Sequence, residues 1–381
     1  MRLLNKVFKM LGVVLIGSIL LVVIVGLLFI NLSPVFGGKP DAGQKVKYAA
    51  SSQYTEGKFV NQIETKMNMG FTDYIGLIGD YIKGTPNAQP PAELPVQAVD
   101  SAKIADRAEH ITQITWLGHS ALLLEMEGKN ILLDPMLSDT PSPHPLLGSK
   151  RFSPLPITLE SLPHIDMVLI SHDHYDHLDY ESVQKLKDKV DHFYTPLGVG
   201  NHLKTWGVAE EKIHEMDWWD EVQLADLKLV CTPARHFSGR GIFDRDNTLW
   251  ASWIIQSARE NIYFSGDSGY GPHFKEIGEK YGPFDFAMVE CGQYDPRWEA
   301  IHMMPEQSVQ AALDVKASLM MPIHWGSFVL SLHSWDDSIK RVSAEAKRLN
   351  QPITTPQLGE AIQLPTQNYP DSYWWKLISK N

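Results

Sequence analysis

Cysteine is almost missing from this chain, and basic charge falls short of acidic. Cys231 and Cys291 are the only two cysteines in 381 residues, so one disulfide is the most they allow. Each ends an apolar run. Both are therefore expected as buried free thiols, and the count leaves the compartment open. Lys and Arg total 34 against 45 Asp and Glu. With Arg2, Lys6 and Lys9 set aside, 31 basic residues face 45 acidic ones, a surplus of 14 negative charges on the rest of the chain. Such a body repels a nucleic-acid backbone, so no nucleic-acid partner is expected and nuclease chemistry is disfavoured. No internal repeat is visible. The 44% hydrophobic content is enough for an ordinary core in one large domain or two.

The long hydrophobic run is Leu11 to Leu32, 22 residues without a charged side chain, preceded by Arg2, Lys6 and Lys9. That length spans a bilayer. A cleaved signal peptide normally has a shorter apolar core and an A-x-A-like site, and Ser33-Pro34-Val35-Phe36-Gly37 offers none. No cysteine lies nearby, which excludes a lipoprotein. The expectation is a single-pass membrane protein, with residues 1–10 cytoplasmic by the positive-inside rule. Residues 11–32 then form the anchor, and the body lies on the periplasmic or extracytoplasmic side. Residues 33–105, with a short helix near Tyr74 to Ile82, read as a linker and N-terminal extension. Residues 106–365 read as the main domain and 366–381 as a tail.

From Ile111 the pattern turns to short β-rich runs. Ile111 to Trp116, Ala121 to Met126 and Asn130 to Leu133 predict an antiparallel meander. Further strands are predicted at Ile165 to Ile170, His192 to Thr195, Leu227 to Thr232, Leu249 to Ile255, Asn261 to Ser265, Phe286 to Glu290 and Leu319 to Ile323. Helices are predicted at Glu181 to Lys189, capped by Asp179, and at Pro305 to Val315. Another is predicted to run to Leu349, capped by Ser334. Strands first, then strands mixed with helices, point to stacked sheets covered by helices.

The chemistry is concentrated in Ser171-His172-Asp173-His174-Tyr175-Asp176-His177, directly after one of these strands. Side chains at i and i+2 leave a strand end on the same side, so His172 and His174 can grip one ion while Asp176 and His177 hold a second beside it. Three other strands also end in a potential ligand: His236 after Leu227 to Thr232, Asp267 after Asn261 to Ser265, and His324 after Leu319 to Ile323. Strand ends meeting at one rim gather functional residues.

This ordered set resembles the ligand set of the metallo-β-lactamase superfamily across roughly residues 110 to 365. Within it the resemblance is to the branch that contains N-acylphosphatidylethanolamine-hydrolysing phospholipase D. It is carried by Thr115 to Ser120, Ile131 to Pro135, Asp217 to Asp220, Tyr294-Asp295-Pro296-Arg297-Trp298 and Ile323 to Phe328. The resemblance implies an α/β fold, a four-layer αββα sandwich, behind the N-terminal transmembrane helix, with two Zn2+ ions at its rim. His172, His174 and His236 would hold the first ion and Asp176, His177 and His324 the second, with Asp267 bridging. His302 would contact the substrate phosphate and donate to phosphate or leaving oxygen. The chain departs from the family in placing Ile301 before that histidine, where lipid-cleaving members often have a polar residue, and in its N-terminal anchor.

In such a site a water held between two dications loses its proton near neutral pH, and Asp176 can accept or orient that proton. The expected activity is a phosphodiesterase of phospholipase D type, with the bilayer and a phospholipid as partners. The competing readings are a lactonase or small-molecule phosphodiesterase, and a zinc-stabilised envelope scaffold. The oligomeric state stays open. His119 is expected in a structural turn close to the rim. Trp218, Trp219, Trp298, Trp325, Phe328 and Tyr373 to Trp375 are either packing residues or an apolar mouth, and Arg297 pairs either with phosphate or with a nearby carboxylate.

Overall fold

The computed structural model describes residues 1–67, 69–105 and 111–378. The expected boundary at residue 106 and the last three residues of the expected tail lie outside them. The chain opens with helix α1 (Arg2–Leu32), whose apolar side chains from Leu4 to Leu28 are exposed. One stretch of it, Leu4–Leu32, is long and apolar enough to cross a membrane. Then come α2 (Ala42–Tyr48), a two-stranded hairpin of β1 (Tyr54–Thr55) and β2 (Lys58–Phe59), α3 (Phe71–Lys83) and α4 (Ser101–Ala105).

Two mixed sheets follow. The first contains β3 (Thr112–Gly118), β4 (Ala121–Met126), β5 (Lys129–Leu133), β6 (Ile165–Leu169), β7 (Val190–Pro196) and β8 (Ile213–Met216) in chain order, with β15 (Ala361–Leu364) added beside β3. The second runs β14 (Met320–Ile323), β13 (Phe286–Glu290), β12 (Asn261–Phe264), β11 (Ser252–Gln256), β10 (Leu227–Thr232) and β9 (Glu221–Leu224). In each sheet an antiparallel meander passes into parallel strands. Parallel neighbours need crossovers. Here α5 (Tyr180–Leu186) and α6 (Gly200–Thr205) serve the first sheet, and α7 (His273–Lys280) and α8 (Pro305–Asp314) the second.

Period-2 alternation explains the layers. On β4, Leu122, Leu124 and Met126 enter the large core shared with the second sheet, while Ala121 and Leu123 face a smaller core with Val183 and Leu186 of α5 and Leu203 of α6. On the far side, α7, α8 and α9 (Asp337–Leu349) cover the second sheet through Phe274, Ile277, Val309, Ile339 and Val342. The result is the expected αββα sandwich.

Some elements depart from expectation. The strand expected from Leu249 starts at Ser252, because Leu249 N and Ala251 N donate to Leu197 O and Ser171 O across the sandwich. The last long helix starts at Asp337 with Asp336 as N-cap, and Ser334 instead donates its hydroxyl to Asp336 Oδ1. Residues 33–105 wrap the sandwich: Tyr48, Phe59 and Leu94 are buried in the large core, and Val96 pairs with Leu358. Both cysteines are free and buried.

Candidate metal centre

In each sheet β3, β5 and β6, or β10, β12, β13 and β14, run the same way, so their C-terminal ends share one rim. The cluster 171–177 leaves β6 there, where Asp134, the first residue after β5, clamps it. Asp134 accepts from Ser171 N at 2.7 Å and from Ser171 Oγ at 2.5 Å, and its Oδ2 lies 2.7 Å from His177 Nδ1. His119, Asp134 and His324 each follow a strand in the left-handed region, with φ of 55°, 38° and 67°. Non-glycine residues rarely stay there unless surrounding structure over-determines them.

The seven expected ligands converge in two half-sites. His172 Nε2 lies 2.8 Å from His174 Nδ1, which lies 3.2 Å from His236 Nε2. On the other side, Asp176 Oδ2 is 3.5 Å from His177 Nε2 and 3.9 Å from His324 Nε2. Asp267 lies between, with Oδ2 at 3.0 Å from His177 Nε2 and 3.8 Å from His172 Nε2, and Oδ1 at 3.1 Å from His324 Nδ1. His177 Nε2 and Asp267 Oδ1 are buried and make no hydrogen bond. Buried polar atoms without partners are costly, and a cation at these positions gives both atoms a partner. Imidazoles and carboxylates converging in this way suit a divalent ion such as zinc.

The outward nitrogens are held. His172 Nδ1 meets Ser171 Oγ at 2.9 Å and His236 Nδ1 meets Ile301 O at 2.8 Å, while His324 Nδ1 faces both Ser120 Oγ and Asp267 Oδ1 at 3.1 Å. Such partners fix tautomer and ring orientation. His119 does more than shape its turn: its Nε2 lies 3.0 Å from Asp176 Oδ2. Asn61, from the N-terminal extension, accepts from His236 N at 3.1 Å and donates to His236 O at 2.8 Å.

Electrostatics follow burial and charge. Burial pushes His172, His236 and His324 well below the usual imidazole value. Burial acts the same way on His177, but the carboxylates of Asp267, Asp176 and Asp134 outweigh it and raise the group well above its ordinary value. His302 stands beside both half-sites, its ring 5.0 Å from that of His236 and 5.3 Å from that of His324. Its Nδ1 is 3.2 Å from Oε2 of the fully buried Glu290, whose carboxyl burial pushes up to about 7. Glu290 in turn raises His302 against the effect of burial.

Sequence reasoning passed over Asp134, Asp173, Glu290 and Asn61. Asp134 and Glu290 carried the same signal as the chosen ligands, an acid ending an apolar strand; Asn61 carried none. Arg297 pairs with carboxylates, at 2.7 Å from Asp295 Oδ1 and 2.9 Å from Asp80 Oδ2. Trp218, Trp325, Phe328, Trp374 and Trp375 are buried, and Trp325 stacks between Trp116 and Trp374. These aromatics pack the interior and do not line a mouth.

Residues 129–325 match the sequence model of the Beta-lactamase superfamily domain. An uncharacterised protein of Mycobacterium tuberculosis is 37% identical over 355 residues, covering 91% of this chain and 93% of its own length. The N-acyl-phosphatidylethanolamine-hydrolyzing phospholipase D 1 of Caenorhabditis elegans is 35% identical over 226 residues, which are 56% of this chain and 64% of that one. Among solved structures, isothiocyanate hydrolase from Delia radicum gut bacteria shares the fold with a TM-score of 0.53 at 20% identity, covering 66% of this chain and 98% of that one.

Proposed function

The chain belongs to the metallo-β-lactamase superfamily of metal-dependent hydrolases, and from that premise we propose that it is a membrane-anchored dizinc phosphodiesterase of phospholipase D type. Its substrates are N-acylphosphatidylethanolamine-like lipids, cleaved to phosphatidic acid and an N-acylethanolamine. The single observation that supports this choice most is His302, held by Glu290 beside both half-sites, in a chain similar to a worm protein named for that activity.

His172, His174 and His236 would hold one zinc, Asp176, His177 and His324 the other, and Asp267 would bridge. Bound there, the ions supply an activated water and a clamp for the phosphodiester oxygens. Asp176, kept in place by His119, accepts or orients the water's proton. With Nδ1 engaged by Glu290, His302 offers Nε2 to the phosphate or to the leaving oxygen. α1 keeps this site at the surface of the membrane that contains the substrate.

Metal analysis together with mass spectrometry of lipid products, on the membrane-anchored protein, tests the reading. Two zinc ions per chain and release of phosphatidic acid are expected, and Asp267→Ala and His172→Ala should each abolish turnover and lower zinc content. Lactone hydrolysis with no lipid turnover would replace the substrate assignment while leaving the metal centre intact.

A further inference from the structure

Two loops at the rim carry side chains that burial does not explain. Leu146 and Leu147 are 86% and 69% exposed, and Ile242 and Phe243 are 69% and 80% exposed. Lys150, exposed, follows the first pair; Arg245 follows the second after Asp244 and is half exposed, 3.5 Å from Asp246 Oδ2 and 4.1 Å over the ring of Phe237. Apolar tips flanked by Lys or Arg are the composition of interfacial anchors, the apolar part entering lipid and the cation meeting headgroups.

Both loops are tied to the place where α1 ends. The ring of Phe29, in the last turn of α1, lies 5.4 Å from Phe36 and 6.1 Å from His144. His144 is two residues before Leu146. Arg240, two residues before Ile242, donates from Nε to Val35 O at 2.9 Å, and Trp206 Nε1 donates to Pro34 O at 2.6 Å. A few residues of chain reach about 10 Å at most, so both apolar tips lie within that distance of residues packed on the anchor's exit.

The same loops border the metal centre. Gly239 N donates to Asp173 Oδ1 at 2.7 Å and Tyr175 Oη to Arg240 O at 2.6 Å, joining the second loop to the ligand cluster. Arg151 ends the first loop and lies 4.7 Å over the ring of Phe328, whose ring is 5.4 Å from that of His119.

We propose that Leu146-Leu147 and Ile242-Phe243 insert into the bilayer leaflet at the C-terminal end of α1, turning the mouth of the metal centre onto the lipid surface. The occupant of this apolar face is lipid, because the face is continuous with the exit of the membrane-crossing helix. The inference rests on the anchored reading given above and adds the residues that orient the body.

The test uses the full chain in vesicles of phosphatidylethanolamine and phosphatidylglycerol. The buried Cys231 and Cys291 leave introduced cysteines as the labelling sites. Nitroxide labels at Leu147→Cys and Phe243→Cys should be more accessible to oxygen than to an aqueous nickel chelate. A label at Asp226→Cys, on the exposed β9–β10 turn away from the rim, should show the reverse. Rim labels as open to the chelate as the Asp226 label overturn the proposal. In parallel, Leu147→Asp with Phe243→Asp should lower turnover of vesicle lipid at least tenfold and leave turnover of soluble bis-p-nitrophenyl phosphate within twofold. An equal loss on both substrates, or none on lipid, overturns the orienting role. A wild type that cleaves neither substrate sinks the phosphodiesterase reading, yet the label depths still decide whether the rim enters the bilayer.

Discussion

Asp134 shows how far a candidate metal site depends on a residue outside its expected ligand set. Its carboxylate takes two bonds from Ser171 and one contact from His177 in a fully buried position. Asp134→Ala leaves Ser171 N and His177 Nδ1 without this partner, while Ser171 Oγ keeps only His172 Nδ1. Metal affinity should fall about 10- to 100-fold, read by competition with a chelator, and stability should fall by about 2–4 kcal/mol, read by chemical denaturation. His273 gives a pH prediction. Burial, helped by the nearby Arg235, lowers this buried histidine to about 3. Above its unfolded value near 6.5 the group is neutral in both states and contributes nothing. As pH falls below 6.5 only the unfolded chain takes the proton, so stability is lost, by about 2 kcal/mol at pH 5. Denaturation of the wild type and His273→Gln between pH 7 and 5 should show a shallower loss in the variant, despite a lower starting stability from the lost contact with Ser268. At this scale the sequence was legible where chemistry repeats in a pattern. The histidine-rich window and the ligands ending strands stood out, whereas Asn61 is a lone asparagine whose importance exists only because the fold brings it to His236.

Among the elements, the segment that joins α1 to the body is the least visible in sequence and among the most constrained in space. Residues Pro34–Phe36 form a short 3-10 turn, and Gly37 and Gly38 then press against α6. Gly38 N donates to His202 Nδ1 at 3.1 Å, and His202 Nε2 lies 3.2 Å from Asp173 Oδ2, between the expected ligands His172 and His174. Arg240 links the same segment to the ligand loop, its Nη1 donating to Asp173 O and Leu178 O at 2.6 and 2.7 Å. A Cβ at Gly38 would stand 2.2 Å from Thr205 Oγ1 and 2.3 Å from Asn201 O. The backbone oxygen cannot yield cheaply, so Gly38→Ala should cost about 1–3 kcal/mol and weaken zinc retention. Both are measurable on the detergent-solubilised full chain, and unchanged zinc retention would show that the segment does not support the ligand loop. Long apolar strands and the periodic α9 were readable because burial imposes a pattern on them. Strand β8, half-buried along most of its length, has no such pattern, while β9 and β15 alternate in burial over only 4 residues each, too few to stand out, and all three take their pairing from neighbours already in place.

For the whole molecule, the sandwich was legible because its central strands are largely apolar on both faces and the expected ligands follow strand ends. The wrapping of residues 33–105 was not, because Tyr48, Phe59 and Leu94 reach the core from short elements without periodicity. The candidate metal centre joins the two sheets: Asp134 and the 171–177 cluster come from the first sheet, and His236, Asp267 and His324 follow strands of the second. Metal bound there cross-links both halves of the sandwich and stabilises the folded chain by mass action, by about 2.7 kcal/mol when free metal is 100 times its dissociation constant. For a domain of some 250 residues each kcal/mol moves Tm by roughly 2–4 °C. Chelation should therefore lower Tm by about 5–11 °C, and restoring zinc should recover it. Asp267→Ala removes the carboxylate placed between the half-sites, so its Tm should respond to zinc by less than half as much. A scan of both proteins with and without chelator measures this directly. Equal responses would mean that the metal's stabilising contacts do not pass through Asp267, and the bridging role assigned to it would fall.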